Sequence, residues 1–240
     1  MKCKLCKTDN IEFLNEIRIL EKYDEKLYKC NQCDFVSYES VHWLEEAYQD
    51  TITVNDVGLT RRVLTNVAFI TNFIEFLNLT TNVFDFGANN GLLAYFLTAR
   101  GIRAKSYDRY ENLIIGPVGN LSDLDDVGIL CSFEVFEHLN DPAGDIDTLF
   151  SHSIPFIIIS TELYDLKTNF NDWWYLQKDT GQHISFYSKD TMSFIADKYG
   201  YAYYQVYGRH VFSKYAISKK TLLKIEYAQK FRLRQLKEMF

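Results

Sequence analysis

The chain has 240 residues, 47% of them hydrophobic, and a formal net charge of -6. That suits one large domain with a small one beside it, and a sizeable core. With 3 Pro, 11 Gly and 24% charged residues it is neither collagen-like nor a disordered linker. No run reaches the roughly 18 to 20 apolar residues of a membrane span. The polar start MKCKLCKTDN lacks the apolar core of a signal peptide, so a cytoplasmic protein is expected. The mild acidity argues against a dedicated nucleic-acid binder.

Four of the five cysteines fall before residue 34: Cys3, Cys6, Cys30 and Cys33. They form two CxxC pairs with 23 residues between them. Two residues between thiols let a tight turn aim both sulfurs at one ion, and two such turns make the four-sulfur shell that zinc prefers. The segments IEFLNEIRIL and KLYKCNQCDFVSY alternate partly, as hairpin strands do. Residues 1–38 are therefore read as a zinc ribbon, closed and structural. Disulfides would need an exported protein, and a redox CxxC would not need a second copy. Through Asp34 the ribbon balances seven basic residues against seven acidic ones, which leaves no phosphate-neutralising patch. Cys131, inside VGILCSF, is expected to be an inert buried thiol.

Residues 42–50 suggest a short helix. In residues 60–78, Val63, Val67, Ile70, Phe73, Ile74 and Leu77 recur at helical spacing. NVFDF is a short strand ending near Asp85, and GANNG leads into a helix over LLAYFLTARG that closes at Gly101. IRAKSYD and VGILCSFEVF are the next strands, 145–150 a helix, and IPFIIIS a strand buried on both faces. A helix follows over Lys189–Tyr199, then YAYYQVYGRHVFSKYAI as an antiparallel pair turning at Gly208, then a final helix over 219–240. Strands alternating with helices indicate an α/β fold with a mostly parallel sheet.

The segment Val83-Phe84-Asp85-Phe86-Gly87-Ala88-Asn89-Asn90-Gly91 lies between a strand and a helix. Gly87 permits the tight turn and Gly91 opens the helix. The pattern is not GxGxxG, because Asn89 stands where the middle glycine would be, which weakens a dinucleotide reading. Asp85 would repel a pyrophosphate but suits a ligand with a cationic amino group. Asp108, seventeen residues after Gly91, ends the next strand, where a carboxylate can accept hydrogen bonds from ribose hydroxyls.

DFGANNG, YDRY and SFEVFEHLNDP together resemble the class I methyltransferases that use S-adenosylmethionine. GQHISFYSKDTM resembles a later block of their small-molecule and glycan-pathway subgroup. The resemblance covers about residues 60–215. It implies a Rossmann-like seven-stranded sheet flanked by helices over residues 39–218, with 219–240 as a helix packed on it or on a partner. It places Asp85 and Gly87 at the methionine end of the cofactor, with Asn89 in the same loop and Gly91 in a packing role. Asp108 would bind the ribose with Arg109 beside it, and Asp123 would contact the adenine, Ser122 or Leu124 being alternatives. Phe133 and Glu134 would face the cofactor or the acceptor.

A hydroxyl acceptor needs a group to take its proton, and histidine is suited to that near neutral pH. His138 and His183 lie in the family-like blocks and are the candidate catalytic residues, each as a base or an acceptor contact. Glu137 could instead fix its loop by hydrogen bonds. Trp173, Trp174 and Tyr175 could form an apolar lid or belong to the core. The last helix carries a local charge of +5 and an apolar side, so it packs on the body, pairs with another subunit or touches an anionic partner. The expected activity is methyl transfer, O-transfer first, to a small polar acceptor such as a sugar, nucleotide sugar or glycan precursor. The expected cofactors are S-adenosylmethionine and structural Zn2+. The alternatives are an RNA methyltransferase using the ribbon and the basic helix, or a non-catalytic interaction module.

Overall fold

A computed structural model describes residues 1–49, 58–111 and 115–237, with side chains for 1–48, 58–111 and 115–232. Asp50, part of the segment 114–119, and the far end of the predicted last helix lie outside them. In chain order the elements are β1 (Ile11–Ile19), β2 (Tyr23–Cys30), β3 (Val36–Tyr38), α1 (Leu44–Gln49), α2 (Leu59–Leu77), β4 (Val83–Phe86) and α3 (Leu92–Ala99). Then come β5 (Ala104–Tyr107), β6 (Ile129–Phe133), α4 (Pro142–Phe150), β7 (Phe156–Ser160) and β8 (Leu163–Tyr164). The chain ends with β9 (Ser185–Ser188), α5 (Lys189–Tyr199), β10 (Ala202–Val206), β11 (Arg209–Ser213) and α6 (Lys219–Lys237). It divides into two compact units, one of Met1–Thr53, Glu134–Ser151 and Ser160–Tyr199, the other of Val54–Phe133, His152–Ile159 and Gly200–Phe240.

In the first unit a five-stranded sheet runs β1-β2-β3-β9-β8. Ile17 and Ile19 of β1 and Leu27 of β2 point into the core while Glu16, Arg18 and Lys26 do not, the alternation of a half-buried hairpin. β3 and β9 are buried along their whole length, so they show no alternation. Val36 pairs with Phe186 and Ser37 with Ser185, antiparallel. The three N-terminal strands thus belong to a sheet that continues past residue 38 into residues 163–188. The core gathers Trp43, Tyr38, Tyr175, Leu176 and Phe186.

In the second unit the sheet runs β10-β11-β7-β6-β4-β5. β4 is parallel to β5 and β6, and β11 is antiparallel to β7 and β10. Phe69, Ile70 and Phe73 of α2, Leu93 and Leu97 of α3, and Ile129 and Ile158 of the strands form one core. Of the seven strands expected, six are present among the described residues; the seventh is reduced to an isolated parallel bridge, Ser106 to Val118. Gly116, Pro117 and Gly119 flank Val118, and a ladder cannot propagate through them. α6 packs on α2 through buried Ile225 and Gln229, whose amide bonds Thr65 O at 2.9 Å and Asn72 Nδ2 at 3.3 Å. The basic last helix thus covers its own unit. Leu223, Tyr227 and Phe231 stay exposed on its outer side. No helix among the described residues is long and apolar enough to cross a membrane.

Candidate active site and metal centre

β4 ends in a loop whose shape is set by backbone conformation. Gly87 and Gly91 have φ of 72° and 80°, and Asn89 has 50°. Only glycine adopts such values without a Cβ penalty, and asparagine tolerates them next best. Most of the loop's donors are consumed internally. Gly87 and Ala88 donate to Tyr107 O, Gly91 to Ala88 O, and Leu92 to the Asn90 side chain. Asn89 N–H donates to Asp108 Oδ2 at 2.8 Å. A pyrophosphate would need those N–H groups free. The loop therefore does not suit a dinucleotide, as the absent middle glycine had suggested.

Asp108 Oδ1 also accepts from Tyr110 N at 2.9 Å and Glu111 N at 3.1 Å, so its carboxylate is locked in place by three main-chain donors. Asp85, 4% exposed, sits one strand away, paired with Ser106 in the ladder. Burial, and secondarily the Asp108 charge, push its carboxyl up to about 7. Arg109 is exposed beside Asp108. Asp123 closes a capping box at the short 3-10 turn Leu121–Asp126: Oδ2 accepts Asn120 N–H at 2.9 Å and Oδ1 meets Lys105 at 3.0 Å. Both interactions hold its carboxyl below the ordinary range, the Asn120 N–H first. Ser122 is likewise tied to Asn120, and Leu124 is buried. Phe133 is half-buried against the core.

In the first unit, residues 134–138 and 181–184 are stitched together. Ile184 N–H donates to Glu137 O at 2.8 Å, Ser185 Oγ to Leu139 O at 2.7 Å, and Tyr187 OH to Phe136 O at 3.1 Å. Gly181 has φ of 66°, and a Cβ there would stand 2.8 Å from Trp43 Nε1, which donates to Gly181 O at 2.8 Å. These bonds set the His138 and His183 rings edge to face, with centroids 4.8 Å apart. His138 Nδ1 lies 3.0 Å from Gln182 O and 3.2 Å from the Tyr48 hydroxyl, which can accept, and His183 Nδ1 lies 2.7 Å from Tyr175 O. A carbonyl only accepts, so each Nδ1 carries the proton and each Nε2 keeps its lone pair. Burial, and then the neighbouring His138, push His183 down to about 3; burial also lowers His138. Two such imidazoles accept hydrogen bonds at neutral pH rather than hold protons.

Glu134 has φ of 55°, a strained value for a non-glycine residue. Its N–H bonds Ser160 O at 3.1 Å, and Ser160 Oγ donates to its Oε1 at 2.5 Å. Glu137 is fully buried, and neither carboxylate oxygen has a hydrogen-bond partner. Burial, and then Glu134, raise its carboxyl to about 8; the Tyr175 and Thr161 hydroxyls are near enough to oppose this but bond each other at 3.1 Å. The hydrogen bonds that Glu137 and His138 give this loop run through the Glu137 carbonyl and His138 Nδ1, and the Glu137 carboxylate takes no part in them. Tyr175 is 2% exposed and Trp173 packs against the core, while Trp174 is 67% exposed.

Residues 58–206 match a protein family described as a methyltransferase domain. The chain belongs to that family. It is an S-adenosylmethionine-dependent methyltransferase of the class I type. Among curated proteins no sequence match is found. The solved structures it is similar to include magnesium protoporphyrin IX methyltransferase (ChlM) from Synechocystis PCC 6803 with bound SAH, at 16% identity and TM-score 0.47, covering 65% of this chain and 82% of that one. The bifunctional kinase-methyltransferase WbdD is similar at 13% identity and TM-score 0.42, over 66% of this chain and 40% of that one. The mitomycin 7-O-methyltransferase MmcR is similar at 14% identity and TM-score 0.43, over 62% of this chain and 53% of that one. Likenesses this distant do not bear on acceptor or mechanism.

The methyltransferase also carries the four-cysteine cluster. The sulfurs lie within 4.8 Å of one another, with Cys3 to Cys33 at 3.6 Å and Cys6 to Cys30 at 3.5 Å, and none is in a disulfide. Tetrahedral zinc with ligands at about 2.3 Å needs sulfurs about 3.7 Å apart, so the donor set fits the ion. The two knuckles are built alike. Lys7 N–H bonds Cys3 O and Asp34 N–H bonds Cys30 O, both at 3.0 Å. Lys7 and Asp34 have φ of 63° and 56°, although neither is a glycine.

Proposed function

We propose that this methyltransferase transfers the methyl group of S-adenosylmethionine to an oxygen of a small polar acceptor, a sugar, nucleotide sugar or glycan precursor in the first place. The observation that carries the acceptor reading is the pair of neutral imidazoles, each with a free Nε2 aimed by a backbone bond. A hydroxyl donates to such a nitrogen, and a vicinal pair of hydroxyls can use both. In the reaction the acceptor O–H gives up its proton to solvent. Its oxygen takes the methyl, and the sulfonium sulfur leaves as a neutral thioether. Aligning the oxygen with the methyl–sulfur bond supplies much of the rate, at best roughly 7–11 kcal/mol.

On this reading His183 and His138 hold the acceptor, and Glu134, fixed by Ser160, faces the acceptor or cofactor, as does Phe133. Asp108 accepts from a ribose hydroxyl with Arg109 beside it, and the turns at Gly87, Asn89 and Gly91 shape the loop for the methionine end. Asp123 keeps a lone pair on each oxygen for an adenine amino group. The four cysteines bind one structural Zn2+, which holds strands and takes no part in the chemistry. Five unpaired thiols suit a reducing compartment such as the cytoplasm. Against an RNA substrate stand the charge-balanced N-terminal strands and the packing of the basic helix on its own unit. Incubation with S-adenosylmethionine and a panel of nucleotide sugars and hydroxylated metabolites is expected to yield S-adenosylhomocysteine with at least one of them. Turnover confined to RNA that survives physiological salt would overturn the reading.

Asp85 gives a pH signature. Its carboxyl, raised to about 7, is largely neutral at pH 6, and a cationic amino group beside it favours the charged form. Cofactor binding should then release a proton below pH 7, and affinity should rise as pH climbs from 5.5 to 7.5. The raised group costs the free protein stability that accumulates above the ordinary carboxylate range and is complete above pH 7; the bound cation offsets that cost. Calorimetry in buffers of different ionisation heat reads the proton. In Asp85→Asn the release and the pH slope should both vanish, and a slope that persists would remove Asp85 from the methionine end.

A further inference from the structure

We propose that Glu137, His138 and His183 form a second metal site, separate from the four cysteines, that takes a divalent first-row cation of the zinc, manganese or cobalt kind. One ligand atom from each of the three lies within 4.8 Å of the others. Ligands at about 2.0–2.2 Å from an ion stand roughly 3–3.5 Å apart, so small side-chain rotations close the shell. Three further observations point to a cation.

The first is the carboxylate. Glu137 is fully buried, yet both of its oxygens lack a hydrogen-bond partner. A charged carboxylate in that state is very costly. A protonated one would relieve the charge, but the side chains near enough to meet its O–H and lone pairs, the Tyr175 and Thr161 hydroxyls, already bond each other. An ion satisfies the charge and the lone pairs together.

The second is the state of the imidazoles. Both spend Nδ1–H on a backbone carbonyl, at 3.0 Å and 2.7 Å, and present Nε2. Metal-binding histidines are oriented in the same way by a carbonyl or carboxylate on the other nitrogen. The third is the local field. Glu134 acts electrostatically on both Glu137 and Glu162, so three carboxylates gather here, and no ion pair to them is found among the described residues.

Two imidazoles and a carboxylate suit borderline divalent ions and leave at least one position open. That position would take an oxygen of the acceptor and ease loss of its proton near neutral pH. With the ion bound, the two Nε2 lone pairs are spent on it, so the acceptor oxygen meets the ion instead of the imidazoles. This role rests on the hydroxylated acceptor proposed above, and the site itself does not.

The test uses the full chain carrying its cysteine-bound zinc, titrated with Co2+ and checked for retained fold by circular dichroism. One further equivalent is expected to bind, with the weak visible absorption of nitrogen and oxygen ligands and no intense thiolate band. Glu137→Gln and His183→Ala should each weaken that binding roughly tenfold or more. Their affinity for S-adenosylmethionine should stay unchanged. His138→Gln serves as a further variant should either fail to fold. No additional equivalent, a thiolate spectrum, or equal binding by the variants would overturn the site. Cobalt binding lost in the variants while wild type and variants turn over a hydroxylated acceptor equally would keep the site and refute its role in the reaction.

Discussion

Replacing Cys30 with serine is expected to release one zinc per chain and to lower the melting temperature of the N-terminal unit by roughly 20 °C or more. A four-thiolate zinc contributes an apparent 10–16 kcal/mol or so to the folding of small zinc modules. Less than the full amount should be lost here, about 5 kcal/mol or more, because the strands also share the core around Trp43, Tyr38 and Phe186. The damage should not stay at the knuckles. Phe35, two residues after Cys33, packs edge to face on Tyr187 with centroids 5.2 Å apart. The Tyr164 hydroxyl donates to Asp34 O. Tyr187 in turn bonds Phe136 O, next to Glu137 and His138. Loosening the second knuckle therefore loosens the bonds that set the two histidines together. Hydrogen exchange should show lost protection in 23–38 and in 185–188 alike. Cys131→Ala, in β6 of the other unit, should leave the zinc content unchanged. Exchange confined to residues 1–38 would mean that the knuckles and the histidine loop are uncoupled.

That coupling could not be read in the sequence, for a physical reason. The CxxC spacing is local and carries its own meaning. The period of α2, from Val63 to Leu77, is local too, as are the strand and loop around Asp85. β3 and β9 are different. They are three and four residues long, buried throughout, and joined across a pairing of Val36 with Phe186. A short strand without alternation looks like any apolar stretch, and its partner lies far along the chain. Lys7 and Asp34 take a left-handed conformation without the glycine that would announce it. His138 and His183 could be picked out from their blocks. Their fixed tautomers and the orphaned Glu137 carboxylate depend on backbone carbonyls that only the fold supplies. Gly116, Pro117 and Gly119 are a local signal too, and it is there that the ladder is reduced to one bridge.

Asp108→Ala is expected to weaken S-adenosylmethionine binding roughly 10- to 100-fold. A hydrogen bond to a charged partner contributes about 1.5–3 kcal/mol, and with three lone-pair sites taken by main-chain donors the carboxylate keeps one, on Oδ2, for a ribose hydroxyl. The side chain is already positioned by Asn89, Tyr110 and Glu111 N–H groups, so little ordering cost remains for the cofactor to meet. The same three donors create an ambiguity: alanine leaves them unpaired, and affinity could fall because the loop sags rather than because the ribose loses its acceptor. An S-adenosylhomocysteine analogue lacking both ribose hydroxyls separates the two causes. Wild type should lose most of its affinity for that analogue, and Asp108→Ala should bind it and the parent compound nearly equally. Equal discrimination by both proteins would show that Asp108 only shapes the loop. The substitution should also reach Asp85. Removing the Asp108 charge takes away the smaller of the two causes that raise its carboxyl, while burial remains. The midpoint of cofactor-linked proton release should therefore move to lower pH in Asp108→Ala, yet stay above the ordinary carboxylate range.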